Sequence, residues 1–79
     1  MYGRIINICQ YYNEVIYPGE TFLIADEKRQ EEWLDNRRKK GKLIIDDIIA
    51  ELNDGGCVGF LKGTWRLICP EDWESLDSN

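Results

Sequence analysis

Carboxylate side chains form the densest group of potentially functional residues in this sequence. They fall into two sets in the second half of the chain: Asp46, Asp47, Glu51 and Asp54, then Glu71, Asp72 and Glu74 around Trp73. Clustered carboxylates attract basic partners and speed their association. An aromatic ring among charges is typical of residues that dominate interfaces. We therefore expect these residues to bind a partner protein with a basic surface, and a solvated polar helix face is the alternative.

The same carboxylates could in principle hold a metal ion or act as acid and base. Asp47 and Glu51 lie four residues apart on a predicted helix and could share a Mg²⁺ ion, but this spacing is common by chance. The chain has no histidine, which removes the commonest metal ligand and the usual general base. No spacing places a nucleophile beside a base. We expect no metal, no cofactor and no enzymatic activity.

Three cysteines, Cys9, Cys57 and Cys69, lie far apart and form no CxxC pair. They are too few for a four-thiolate zinc site, and free cysteines in apolar stretches usually pack as small hydrophobic residues. Residues 1–10 lack a signal-peptide pattern, and no apolar run approaches the roughly 20 residues of a membrane span. The sequence therefore predicts a cytoplasmic protein without a membrane partner.

A run of bases is the competing candidate for function. Arg37, Arg38, Lys39 and Lys40 could contact nucleic acid phosphates, but they also end a helix that begins with acids and so offset its dipole. Residues 1–25 hold one base and two acids (−1), residues 26–42 seven bases and five acids (+2), and residues 43–79 two bases and eight acids (−6), for a net −5. The overall charge makes nucleic acid an unlikely partner.

The N-terminal third predicts three short strands, because its residues are mostly β-branched or aromatic. The strand-like runs are residues 4–9, 15–17 and 21–25. Tyr12-Asn13-Glu14 makes a plausible first turn. Pro18-Gly19 is a stronger turn signal, because proline suits the second position of a type II turn and glycine the third.

Two helices are predicted to follow. The first begins at Asp26 as N-cap, is anchored by Trp33 and Leu34, and ends before Gly41. The second covers residues 43–52, where Ile44, Ile45, Ile48, Ile49 and Leu52 form one apolar stripe. In an alternative interpretation, residues 42–45 form a strand and a shorter helix starts at Asp46 or Asp47.

The C-terminal third predicts a β-hairpin, with strands at 57–61 and 64–69 joined by Lys62-Gly63. Pro70 then opens a short helical turn over residues 70–74, and residues 75–79 are expected to fray. Together these elements predict an α+β fold: one domain over 1–79, with a small antiparallel sheet built from the N-terminal three-stranded segment and the C-terminal hairpin, packed with two helices. The strand order stays open.

Length favours binding over catalysis. A chain of 79 residues buries only about 60 to 65% of its unfolded surface and cannot easily enclose a deep pocket. We expect a small acidic, non-enzymatic binding protein, for example an inhibitor encoded by a phage or mobile element, such as an anti-CRISPR or other anti-defence protein. The alternatives are a nucleic-acid-binding regulator that uses Arg37 to Lys40, and a homo-oligomeric structural or assembly protein.

Overall fold

A computed structural model describes residues 1–11 and 13–76 of the chain. Its strands are β1 (Tyr2–Ile5), β2 (Cys9–Tyr11), β3 (Glu14–Ile16), β4 (Thr21–Ile24), β5 (Cys57–Leu61), β6 (Thr64–Ile68) and β7 (Trp73–Ser75). Its helices are α1 (Glu27–Arg38), α2 (Lys42–Asn53) and a 3₁₀ turn at Pro70–Asp72. Five strands form an antiparallel sheet in the order β6-β5-β4-β1-β7, and β2 and β3 form a separate two-stranded sheet. The α+β prediction is confirmed.

The five-stranded sheet is covered on both faces, because its strands alternate apolar residues towards each side. The hairpin of β2 and β3 covers one face; the buried residues between them are Ile5, Ile16, Phe22, Cys57, Leu61 and Ile68. The two helices cover β5 and β6 on the other face, where the buried residues are Trp33, Leu34, Ile45, Ile48 and Val58. We call these groups the hairpin-side core and the helix-side core.

The N-terminal segment contains four strands rather than three. The predicted run 4–9 is broken, because β1 ends at Ile5 and the chain crosses to the second sheet before β2 begins at Cys9. Glu14 lies in β3 and not in a turn, and Tyr12 is outside the described residues. The Pro18-Gly19 turn is confirmed: Gly19 has φ +96°, and the Glu20 N–H donates to the Tyr17 carbonyl at 3.3 Å.

The predicted start of α1 is confirmed, and its predicted end is wrong. Asp26 is the N-cap, and its Oδ1 accepts a hydrogen bond from the Arg29 N–H at 2.8 Å. The helix ends at Arg38 with Lys39 as C-cap, so Gly41 is not its C′ residue. Gly41 instead precedes α2 with φ +153° and opens that helix.

α2 is a helix over its whole length, so the strand interpretation of residues 42–45 is wrong. Its apolar stripe is narrower than the sequence suggested. Ile45 and Ile48 are buried against Val58, and Ile49 and Leu52 are partly buried. Ile44 is 50% exposed, because the helical period places it at the border of the stripe and not at its centre.

The C-terminal hairpin is confirmed with its two-residue turn, where Lys62 has φ +50° and Gly63 φ +80°, as a type I′ turn requires. The helical turn from Pro70 ends at Asp72, shorter than predicted. The chain then forms β7, which the sequence did not predict, and Ser75 pairs with Gly3. Ser75, where the frayed tail was expected to begin, therefore lies in a strand, and residues 77–79 lie outside the described part of the chain.

Candidate functional site

Strand β6 forms one edge of the five-stranded sheet and pairs only with β5 among the described strands. The Ala25 N–H donates to the Val58 carbonyl at 2.8 Å, so Val58 directs its backbone groups to β4. Successive residues of an antiparallel strand direct their backbone groups to opposite neighbouring strands. Gly59, which follows Val58, therefore bonds to Arg66 of β6. Since Arg66 directs its N–H and C=O to β5, the next residue, Leu67, directs its own away from the sheet. The edge is therefore open at Leu67.

The other end of this edge is partly covered. The indole Nε1 of Trp33, on α1, donates to the Trp65 carbonyl at 3.1 Å. This hydrogen bond satisfies one outward carbonyl of β6 and fixes α1 across the strand. Within the described residues, the unpaired part of the edge is thus at Leu67, because the Cys69 carbonyl accepts a hydrogen bond from the Asp72 N–H at 3.1 Å.

Two apolar clefts flank this open edge. The helix-side cleft, about 320 Å³, is lined by Trp33, Ile44, Ile48 and Glu51 among others. The hairpin-side cleft, about 220 Å³, is lined among others by Ile8, Cys9, Ile16 and Asp72. Leu67 and Cys69 line both clefts. One volume lies below and the other only just above the roughly 300 Å³ lower limit for ligand pockets, so the clefts suit single side chains better than a whole small molecule.

Carboxylates from both predicted acidic sets meet at the end of β6. Burial first, and then the charges of Glu51, Glu71 and Asp72, raise the pKa of the Cys69 thiol to about 11. The Cys69 Sγ also donates to the Glu51 Oε2 at 3.7 Å. The structure thus brings Glu51 of α2 and Glu71 and Asp72 of the 3₁₀ turn near one thiol. We call these three residues the acidic cluster.

The other predicted acidic residues lie outside this cluster. Asp46 and Asp47 are exposed on α2, and Asp54 is its exposed C-cap. Glu74 pairs with Arg4 across the register of β7 and β1, so its charge is balanced locally. The predicted partner-binding surface is therefore divided into one cluster beside β6 and separate carboxylates elsewhere.

Trp73 packs into the protein instead of offering its ring as a spare aromatic. It is half-buried against the hairpin-side core, and its ring meets Phe22 edge-on with centroids 5.7 Å apart. Strand β7, which the sequence did not predict, imposes this packing, and the role of Trp73 as a partner contact stays a prediction.

The basic run is partly balanced within α1. The Arg37 guanidinium lies over the Trp33 ring, 5.0 Å from its centroid. Arg38 forms ion pairs within the helix, with Asp35 at 2.5 Å and with Glu31 at 3.7 Å. Lys39 and Lys40 are exposed in the turn after the helix.

The remaining thiols are not activated. Burial raises the pKa of Cys57 to about 12, and burial with the nearby charge of Asp72 raises that of Cys9 to about 11. Thiols with such pKa values stay protonated at neutral pH and are weak nucleophiles and metal ligands. Within residues 1–11 and 13–76, no three or more Cys, Asp and Glu side chains are grouped to hold a metal ion.

Sequence reasoning missed two parts of the site, the open edge and the buried Arg66. Arg66 is only 4% exposed, and its Nη1 donates to Glu14 Oε2 at 2.7 Å. The alternation within residues 64–68 could have revealed it, because it puts Arg66 on the same side as Ile68.

No protein-family model, curated protein or solved structure matches the chain. Neither helix in the described part of the chain is long and apolar enough to cross a membrane.

Proposed function

We propose that the chain is a non-enzymatic binding protein whose acidic surface occupies a basic surface of a partner protein. The observation that carries this proposal is the acidic cluster of Glu51, Glu71 and Asp72. These carboxylates are brought from two separate segments to one end of β6, beside two apolar clefts. Apolar contact area next to unbalanced charge is the usual composition of a specific interface.

The charge around the cluster supports this role. The segment that contains it carries two bases and eight acids. Both bases of this segment are engaged with another carboxylate, since Lys62 and Arg66 lie 3.7 Å and 2.7 Å from Glu14 on β3, and Arg66 also lines the hairpin-side cleft. The carboxylates of the acidic cluster would therefore steer a basic surface towards the clefts.

Two features favour binding over catalysis. The chain contains no histidine, and all three thiols have raised pKa values that keep them protonated. Protonated thiols also suit a reducing cytoplasm, where disulfides are rare. An inhibitor encoded by a phage or mobile element is one form of this function that fits the small size and the negative charge.

Affinity capture from the native host, with mass spectrometry to identify the partner, tests the proposal. The variant E51Q/E71Q/D72N removes three charges from the acidic cluster, and the matched control E27Q/E31Q/E32Q removes three from exposed positions on α1. We expect the cluster variant to weaken the complex about tenfold or more, and high salt to weaken the wild-type complex. The control should bind like the wild type. Equal capture by the wild type and the cluster variant would show that the acidic surface does not bind the partner.

A further inference from the structure

We propose that β6 binds an extended peptide segment of the partner, which adds to the sheet as a sixth strand at Leu67. The segment would combine apolar side chains with a lysine or arginine beside the acidic cluster. This inference rests on the proposed function for the nature of the partner, and it adds the binding mode and the chemistry of the segment.

The backbone of β6 supplies the first argument. Within the described residues, the outward N–H and C=O of Leu67 have no partner, whereas the flanking residues Arg66 and Ile68 bond to β5. The outward N–H and C=O of Leu67 can bond to the C=O and N–H of one residue on an added strand. The opposite edge, β7, has only three residues and offers a shorter template.

The two clefts supply the second argument. Side chains of an added strand alternate between the two faces of the sheet. The residue opposite Leu67 would enter the helix-side cleft beside Ile44 and Ile48. Its neighbours would enter the hairpin-side cleft beside Ile8 and Cys9. Clefts on both faces of the same edge thus match the alternation of an extended peptide, whereas a helix would place its side chains at a different period.

Charge decides which occupant fits best. Glu51 borders the helix-side cleft and Asp72 the hairpin-side cleft, and both belong to the acidic cluster near Cys69. Each cleft is also lined by an arginine, but Arg37 lies over the Trp33 ring and Arg66 is paired with Glu14. A basic side chain near Cys69 would meet a carboxylate from either face. A second copy of this chain would instead bring another net charge of −5 to the same place. Charge complementarity therefore favours a basic segment of a different protein.

Selection from a phage-displayed library of random nonapeptides on the immobilised full-length protein tests this inference. We expect enriched peptides to alternate apolar residues and to carry a lysine or arginine. Their addition should shift the backbone amide NMR signals of Leu67 and Cys69 most. Leu67→Pro should weaken binding at least about tenfold, because it removes the outward N–H without breaking a bond to β5. Absence of enrichment, or equal binding to the Leu67→Pro variant, would overturn the inference.

Synthetic peptides provide a second measurement that leaves the protein unchanged. Methylation of the peptide nitrogens that face β6 should abolish binding of the best selected peptide, and methylation of the alternate nitrogens should leave it within about twofold. Equal effects of the two patterns would contradict strand addition. Light scattering of the free protein tests whether a second copy of the chain occupies the edge instead. If the free protein forms dimers that the selected peptide breaks, the edge binds a second copy of the chain.

The two proposals fail in different ways. If E51Q/E71Q/D72N retains the host partner while the peptide experiments succeed, the acidic surface is not needed and only the strand-addition mode stands. If the cluster variant loses the partner while both methylation patterns act alike, the partner binds the acidic surface without adding a strand.

Discussion

Arg66 attaches the β2–β3 hairpin to the five-stranded sheet through an ion pair. Its guanidinium is buried, with Nη1 2.7 Å from Glu14 Oε2 and Nη2 3.4 Å from the Leu61 carbonyl. A buried cation is costly without a charged partner, and Glu14 on β3 provides one. Lys62 adds a bond from its Nζ to the Val15 carbonyl at 3.2 Å. These contacts hold the hairpin that forms one wall of the hairpin-side cleft.

The ion pair predicts a specific dependence of stability on pH. The Arg66 hydrogen bond, and then the charges of Arg66 and Lys62, hold the pKa of Glu14 below its ordinary 4.5. A carboxylate with a lowered folded-state pKa stabilises the protein above its unfolded-state pKa and loses this effect as the pH falls through the folded-state value. Glu14→Gln should therefore lower the urea midpoint at pH 7, and the difference from the wild type should shrink at about pH 2.5.

The exposed carboxylate of Glu32 on α1 provides the matched control. Glu32→Gln should change the urea midpoint little at either pH. If the urea midpoint of Glu14→Gln lies below that of the wild type by the same amount at both pH values, lost packing and not the ionised pair explains the loss of stability.

At the scale of elements, the centre of the sheet depends on two glycines that flank one phenylalanine. Phe22 of β4 is 2% exposed and lies over Gly3 of β1 and Gly59 of β5. A Cβ at Gly3 would lie 2.6 Å from Phe22 Cζ, and one at Gly59 would lie 2.4 Å from Phe22 Cδ2. Such distances leave no room for a methyl group, so β1 and β5 accommodate the ring only with glycine at these positions.

Gly59→Ala should destabilise the protein by roughly 1 to 3 kcal/mol, the usual cost of overpacking a core. The added methyl would also lie 2.7 Å from Ile68 Cδ1, so the clash involves β6 as well. The measurement is urea unfolding of Gly59→Ala, Phe22→Leu and the double variant. The smaller side chain at position 22 should recover part of the loss, so the double variant should be more stable than the sum of the single effects. Strict additivity would contradict the steric explanation.

For the whole molecule, the features that depend on local sequence were predictable and those that depend on distant pairing were not. Asp26, Pro18-Gly19 and Lys62-Gly63 act within a few residues, and each was predicted correctly. Strand β7 was missed because it forms only by pairing with β1 at the other end of the chain. Gly41 was misassigned because a glycine after one helix and before another fits both roles, and only packing selects one.

The candidate site shows the same difference between features that depend on local sequence and features that depend on distant pairing. Composition and charge predicted Glu51, Glu71 and Asp72 as candidate binding residues, but their position near Cys69 depends on α2 and the 3₁₀ turn packing at the same end of β6. The open edge depends on the strand order, which the sequence left open. Position along the chain thus indicated the chemistry of the site, and only the fold indicated its shape.

The charge of the whole molecule favours the proposed function over nucleic-acid binding. The net charge is −5, Arg38 is paired within α1, and Lys39 and Lys40 are the exposed remainder of the basic run. Phosphate contacts are strongest at low salt. Two exposed lysines on an acidic molecule should not be enough, so mixed DNA and RNA should show no gel shift at about 50 mM salt. Wild type and the variant R38Q/K39Q/K40Q should behave alike, whereas a wild-type shift that this variant abolishes would support nucleic-acid binding.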